Sequence, residues 1–185
     1  MFGLLLVAIF IGAFAIGSIP FHRIVGLKDK DDPTEKHCRC RSVLRVFLNV
    51  FKGFGIVTFG CIFGPEGGLA ALYGVTFGHN YPFWSTFRGG TGLGTILGAL
   101  LAVDPMLGIF ALVSWTFAFY SFQHRTAAAI CSALATPLAA GFVALPFSPV
   151  MLLPVTAMVL WRHRKVVVDL YLPGPKETED HFRQL

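Results

Sequence analysis

The sequence predicts an all-α, polytopic membrane protein of about seven transmembrane helices with short Gly-rich cytoplasmic-face turns, built as a single domain over residues 1–185. Three observations carry that expectation. The 185 residues are 55% hydrophobic and only 14% charged, with mean hydropathy +0.67, outside the usual soluble range. Uncharged apolar runs recur along the whole length, and short segments rich in Gly, Pro and basic residues separate them. In hydrocarbon, backbone N–H and C=O groups must be satisfied inside the protein, and that selects helices. The formal net charge of +5 raises the question of nucleic acid. The basic residues sit between apolar runs, with no basic face interleaved with aromatics. Nucleic acid is therefore not an expected partner; anionic membrane lipids and a phosphorylated substrate are.

Met1 to Pro20 is apolar and uncharged, about the length that crosses a bilayer. No Lys or Arg precedes Arg23, and Gly17-Ser18-Ile19-Pro20 is a poor cleavage site. A retained helix ending near Ser18–Pro20 is expected rather than a signal peptide. Residues 22–42 form a polar loop in which Arg23, Lys28, Lys30, Lys36, Arg39 and Arg41 mix with four acidic residues. The second run, Val43–Gly64, is interrupted by Arg45, Asn49 and Lys52. Lys52 lies roughly 10 Å into it at 1.5 Å per residue. It either snorkels to the near surface or points into a polar cavity of the bundle, and the second is preferred.

Pro65-Glu66-Gly67-Gly68 reads as a tight turn. The third run extends from Leu69 to about Pro82, with Gly78-His79-Asn80-Tyr81-Pro82 breaking its end. The fourth, Thr91–Val103, reaches only roughly 20 Å against a hydrocarbon core of about 30 Å. Asp104-Pro105 begins the next turn. The fifth run is Met106–Phe122. The sixth is Thr126–Leu145, with a kink expected at Pro137. The seventh is Val150–Trp161, before Arg162-His163-Arg164-Lys165. A helical bundle over 1–165 and a cytoplasmic tail over 166–185 are expected.

With the first loop placed inside, the inside segments hold every Lys and Arg except Lys52, with Arg45 at the membrane edge. The outside turns hold only Glu66 and Asp104. This positive-inside pattern predicts a multi-pass protein of the cell (inner) membrane, N-terminus outside and C-terminus cytoplasmic.

The chemistry concentrates between Gly78 and Thr95. Gly89, Gly90, Gly92 and Gly94 sit at the N-terminus of a helix expected over Leu93–Val103, an end that offers unpaired N–H groups and the positive end of the macrodipole. Arg88 adds a full charge beside it. Two short helices meeting there imply a turn below the membrane surface, tolerated where it lines a cavity. The topology adds Arg125, Arg162, His163 and Arg164 to the same face, a constellation suited to a phosphate. The alternative is a tight turn between packed helices, with basic loops serving topology alone. His79 has a similar alternative, as a backbone partner at a helix break. Cys61 and Cys131 lie in apolar runs and read as packing residues. His37-Cys38-Arg39-Cys40 offers three ligands at poor spacing and no second cluster, so no metal site is expected.

Several segments resemble, in order and spacing, the bacterial acyl-phosphate:glycerol-3-phosphate acyltransferases. They are Gly17-Ser18-Ile19-Pro20-Phe21, Phe51-Lys52-Gly53, Gly78-His79-Asn80-Tyr81-Pro82, Phe87-Arg88-Gly89-Gly90-Thr91-Gly92 and Arg162-His163-Arg164. The resemblance implies transfer of a fatty acyl group from acyl phosphate to the 1-hydroxyl of glycerol-3-phosphate, giving lysophosphatidic acid for phospholipid biosynthesis. It implies no metal or other cofactor, and a monomer is expected. His163 becomes the catalytic candidate, as general base or phosphate partner. Arg88, Gly89, Gly90, Thr91 and Gly92 would hold a phosphate, and His79 and Asn80 would orient the glycine turn. Arg125, Arg162, Lys52 and Ser18 complete the substrate-binding set. The chain departs from the family pattern at Glu35–Ser42, at Asn49, at Thr91 where the family has lysine, at Thr126–Ala129 and at Lys165-Val166. Those departures keep a second reading open, a catalytically impaired paralogue that binds lipid or acyl phosphate or acts as a partner protein. A small-molecule carrier is disfavoured by the absence of inverted-repeat signals.

Overall fold

Each apolar run becomes one helix. The structure is a computed structural model that describes residues 2–21, 39–83, 92–142 and 149–164. Among these, the elements are α1 Phe2–Ser18, α2 Arg39–Cys61, α3 Pro65–Asn80, α4 Leu93–Val103, α5 Pro105–Phe122, α6 Arg125–Phe142 and α7 Pro149–Arg162. No strand occurs among the described residues.

Local chemistry sets the boundaries. Gly92, at φ 71°, starts α4, and Asp104 ends it in an extended conformation. Asp104 also caps α5: its Oδ1 accepts from the Met106 N–H at 2.8 Å and the Leu107 N–H at 3.3 Å, with Pro105 in the first turn. The expected turn at Pro65–Gly68 is instead the first turn of α3. Gly64, at φ 93°, makes the reversal, Pro65 opens the helix, and Glu66 sits at its positive end. Gly67 and Gly68 mark a close helix contact rather than a turn. A Cβ on Gly67 would lie 2.5 Å from the Gly60 carbonyl oxygen, and one on Gly68 2.6 Å from Cys61 Sγ. At its other end α2 begins at Arg39, four residues before the expected Val43. The expected end of α6 at Leu145 lies outside the described residues; Pro137 and the residues around it remain helical.

Small residues set the packing. On α3, Gly74 meets Phe10 and Ala13, and Gly78 meets Phe14 and Ser18, so α1 and α3 run side by side in the same sense. On α4, Gly94 meets Val46 and Asn49, and Gly98 meets Val50 and Phe54, which makes α2 and α4 a second parallel pair. Both are small-xxx-small contacts, in which backbones approach closely and dispersion replaces the missing hydrophobic driving force. Leu72, Val75, Val57, Ala99 and Leu152 fill the core between them. Hydroxyls join the remaining helices: Ser132 donates to the Ala111 carbonyl at 2.8 Å, and Thr156 to that of Ala133 at 2.9 Å. Pro154 has no N–H for the preceding turn of α7, and nearby the Met151 carbonyl accepts from the Tyr73 hydroxyl of α3.

The outer surface is apolar, with Leu4, Phe51, Phe117 and Phe142 among its exposed side chains. Val43–Cys61 and Pro105–Phe122 are long and apolar enough to cross a membrane, and α1, α4 and α7 are apolar but shorter. The alternating helix directions bring the C-terminal ends of α1, α3, α5 and α7 to one end of the bundle, together with the N-terminal ends of α2, α4 and α6.

Candidate anion site at one end of the bundle

Consecutive residues on a helix point roughly 100° apart, so His79 and Asn80, the last two residues of α3, address different neighbours. His79 turns toward α1 and α2. There Lys52 is buried, 5% exposed. Its Nζ donates to the carbonyl oxygens of Gly17 at 2.8 Å and Ile19 at 3.3 Å, lies 3.1 Å from His79 Nδ1, and sits 5.7 Å from the centre of the Phe21 ring. The last carbonyls of α1 lack intrahelical partners and form the negative end of its dipole, so they balance a buried ammonium. With Nδ1 accepting from an ammonium, the His79 proton resides on Nε2. The interior placement of Lys52 agrees with the sequence. Its donors, however, are directed at the chain itself, as is Ser18 Oγ, which donates to the Phe14 carbonyl at 2.8 Å. Both residues are joints of the α1–α3 end. Replacing Lys52 with methionine would remove the ammonium donor from the Gly17 carbonyl at the end of α1 and from His79 Nδ1, while the Ile19 carbonyl would keep the Phe21 N–H. The expected loss is about 2–4 kcal/mol, read as a lowered Tm of the purified protein.

Asn80 turns toward α4 and α7 and is 1% exposed. Its Nδ2 donates to Met158 Sδ at 3.4 Å, while Oδ1 meets no hydrogen-bond partner among the described residues. Gly92 lies against the same amide: a Cβ there would fall 2.8 Å from Asn80 Oδ1. Asn80 is thus the floor under the last glycine of the turn. Among the described residues no side chain caps α4, and its first intrahelical bond runs from the Ile96 N–H to the Gly92 carbonyl at 2.8 Å. The amides before Ile96 have no intrahelical acceptor, the arrangement that receives an anion.

The end of α7 supplies charge. His163 is buried, and its Nε2 has no hydrogen-bond partner among the described residues. Burial, and then the neighbouring Arg162 guanidinium, hold the imidazole below its ordinary pKa of 6.5. Arg164 stacks on Trp161, with its guanidinium carbon 4.5 Å from the ring centre, and donates to the Trp161 carbonyl at 3.3 Å. A cavity of about 340 Å³ opens here, lined by Tyr81, Trp161, Arg162 and Arg164. Tyr81 directly follows Asn80, so the end of α3 touches both other elements: the start of α4 through Asn80 and Gly92, and α7 through Met158 and the cavity lining.

Of the residues singled out by sequence, the structure brings His79, Asn80, Gly92, Arg162 and His163 to this end, with Ser18 and Lys52 behind them. Arg125 opens α6 and is exposed, and it does not line the cavity. Arg88, Gly89, Gly90 and Thr91 lie outside the described residues, as do His37 and Cys38. Sequence reasoning missed Met158 and Trp161. Met158 carries no local signal, whereas Trp161 stands three residues before Arg164, one helical turn away. No group of three metal-binding side chains occurs among the described residues.

Residues 39–171 match the model of the family described as glycerol-3-phosphate acyltransferase. The chain belongs to this family. A glycerol-3-phosphate acyltransferase of Paraburkholderia phymatum is 32% identical over 179 residues, covering 85% of each chain. One of Herminiimonas arsenicoxydans is 34% identical over 184 residues, covering 86% of this chain and 88% of the relative. The fold agrees with crystal structures of PlsY, an integral membrane glycerol 3-phosphate acyltransferase. Its lysophosphatidic acid form superposes with a TM-score of 0.77 at 27% identity, covering 90% of this chain and 91% of that one. Its glycerol 3-phosphate form gives 0.76 at 26% identity, covering 90% and 92%. Family, fold and apolar outer surface together make this an acyltransferase-family protein of a membrane.

Proposed function

We propose that this protein transfers a fatty acyl group from an acyl phosphate to the 1-hydroxyl of glycerol-3-phosphate, at the cytoplasmic face of the cell membrane and as a monomer. The oxygen of the 1-hydroxyl attacks the acyl carbonyl carbon. The bond from that carbon to the phosphate oxygen breaks, inorganic phosphate leaves, and lysophosphatidate forms. The hydroxyl proton passes to His163 or to the departing phosphate. An acyl phosphate is already activated, so positioning and anion stabilisation carry most of the rate.

The observation that supports this reading most is Asn80, which seats Gly92 at the α4 N-terminus and also contacts Met158 of α7, the helix that ends in a buried imidazole between two arginines. Arg162 would hold a substrate phosphate with the α4 amides, and Arg88, Gly89, Gly90 and Thr91 would extend that cradle. Arg125 would add charge at the same face. The N-terminus lies outside and the C-terminus in the cytoplasm, as the basic loops predict.

The test uses purified protein in lipid with palmitoyl phosphate and labelled glycerol-3-phosphate. Labelled lysophosphatidate is the expected product. No product above a His163→Ala control would leave the binding or partner reading. The pH profile carries a further expectation. A depressed pKa keeps His163 neutral at pH 7, so kcat/KM should hold through neutrality and fall only as pH drops below 6.5, the ordinary value. Arg162→Gln removes the smaller cause of that depression, and the acid limb should move up toward 6.5.

A further inference from the structure

Among the described residues, two polar contacts join α3 to α7, which run in the same sense. The Tyr73 hydroxyl donates to the Met151 carbonyl, and the Asn80 amide donates to Met158 Sδ at 3.4 Å. Tyr73 and Asn80 are seven residues apart, and so are Met151 and Met158. Seven residues are about two helical turns, so the contacts are rungs about 10 Å apart on facing sides of the pair. The rung nearer the site is steadied from a second direction, because Thr156 donates to the Ala133 carbonyl of α6 at 2.9 Å. The farther rung is a hydroxyl midway along α3, at membrane depth. It has no water to turn to, and a helix carbonyl keeps a second lone pair for it. Phenylalanine would fill the same space with no polar atom to satisfy, and a hydroxyl bonded between membrane helices adds little net stability. What the bond adds is direction.

We propose that the Tyr73 hydroxyl is a positioning group for His163: by pinning the first turn of α7 it fixes where the imidazole stands relative to Asn80 and the Gly92 turn seated on it. The proposal rests on the proposed function for the catalytic role of His163. α7 is unbroken from Pro149 to Arg162 although Pro154 leaves out one bond, and the His163 N–H continues it by donating to the Val159 carbonyl at 3.1 Å. The helix therefore turns as one lever about Met158. Met151 lies seven residues before that fulcrum and His163 five residues after it, arms of about 10.5 Å and about 7.5 Å. A displacement of about 1 Å at Met151 swings His163 by about 0.7 Å. A misplacement of that size is costly for a group that must meet a reacting hydroxyl. Leu152 and Val155 stay buried in the core whether or not the hydroxyl is present, so its removal loosens the lever without unfolding it.

The experiment pairs kinetics with nuclear magnetic resonance on the full-length protein. Tyr73→Phe should lower kcat by about tenfold and leave both KM values unchanged, because the hydroxyl acts on the position of His163 and not on substrate binding. Replacing Tyr73 with para-aminophenylalanine, which keeps a donor at the ring tip, should restore most of the rate; para-methoxyphenylalanine, which fills the space without a donor, should not. Thr116→Val removes another hydroxyl, one that bonds only within α5 to the Leu112 carbonyl, and should leave kcat unchanged. In protein carrying isotope-labelled histidine, the His163 ring signal is assigned by its loss in His163→Gln. Tyr73→Phe should shift and broaden that signal and leave the signal of exposed His124 in place. An unmoved His163 signal would overturn the proposal. So would an unchanged kcat in an active protein, or a lowered Tm with the rate per folded molecule intact. The resonance readout is independent of turnover. A shifted His163 signal in a protein that makes no lysophosphatidate would uphold the lever while defeating the proposed reaction.

Discussion

Replacing His163 with alanine should lower kcat by about 10²–10⁴-fold, the usual contribution of a positioned acid–base group. His163 follows the last turn of α7, is buried, and presents an Nε2 with no partner among the described residues. A buried, unsatisfied nitrogen costs stability unless a ligand completes it. Burial and Arg162 both favour the neutral ring, the form that accepts a proton or a hydrogen bond from the substrate hydroxyl. A purely structural histidine would behave differently: its removal would lower Tm and leave the rate of the remaining folded protein intact. The kinetic assay should therefore be paired with a melting curve. His163→Gln keeps most of the volume and should retain the fold while losing the rate.

Gly92→Ala should cost about 10²-fold in kcat/KM. Gly92 has φ 71°, and an L-residue there is strained by about 1–2 kcal/mol. The new Cβ would also fall 2.8 Å from Asn80 Oδ1. Asn80 is 1% exposed and tied to Met158, so it has no room to retreat. The start of α4 must shift instead. A displacement of about 1 Å at a positioning element typically costs that factor. Steady-state kinetics with glycerol-3-phosphate varied should place most of the loss in KM, because the proposed site seats the phosphate at the glycine turn.

Several features of this site were legible in the sequence. Leu93–Val103 was readable as a helix because Gly92 and Asp104-Pro105 bracket an uninterrupted apolar run. The burial of Lys52 was readable because a cation midway along an apolar helix has few other stable places. Its partners were not. Gly17, Ile19 and His79 come from two other helices, and nothing in the spacing of α2 names them. Pro65-Glu66-Gly67-Gly68 misled because Pro and Gly mark turns in isolation, whereas here Gly67 and Gly68 yield space to Gly60 and Cys61. Tertiary contact decided their role. Likewise the thioether of Met158 under Asn80 belongs to the packing of α7 on α3, and a methionine in an apolar run gives no hint of it. Whether Arg125 lines the cavity depends on where α6 packs in the bundle, which charge patterning does not encode.

The claim on which the account depends is that the α4 N-terminus and the 162–164 segment hold one anion together. The most direct measurement is a double-mutant cycle on equilibrium binding of labelled glycerol-3-phosphate, with Gly92→Ala and Arg162→Gln made singly and together. A shared site predicts coupling: the double variant should lose at least 1 kcal/mol less than the sum of the single losses. Losses that add to within about 0.5 kcal/mol would mean the two elements act independently, and would contradict a single site.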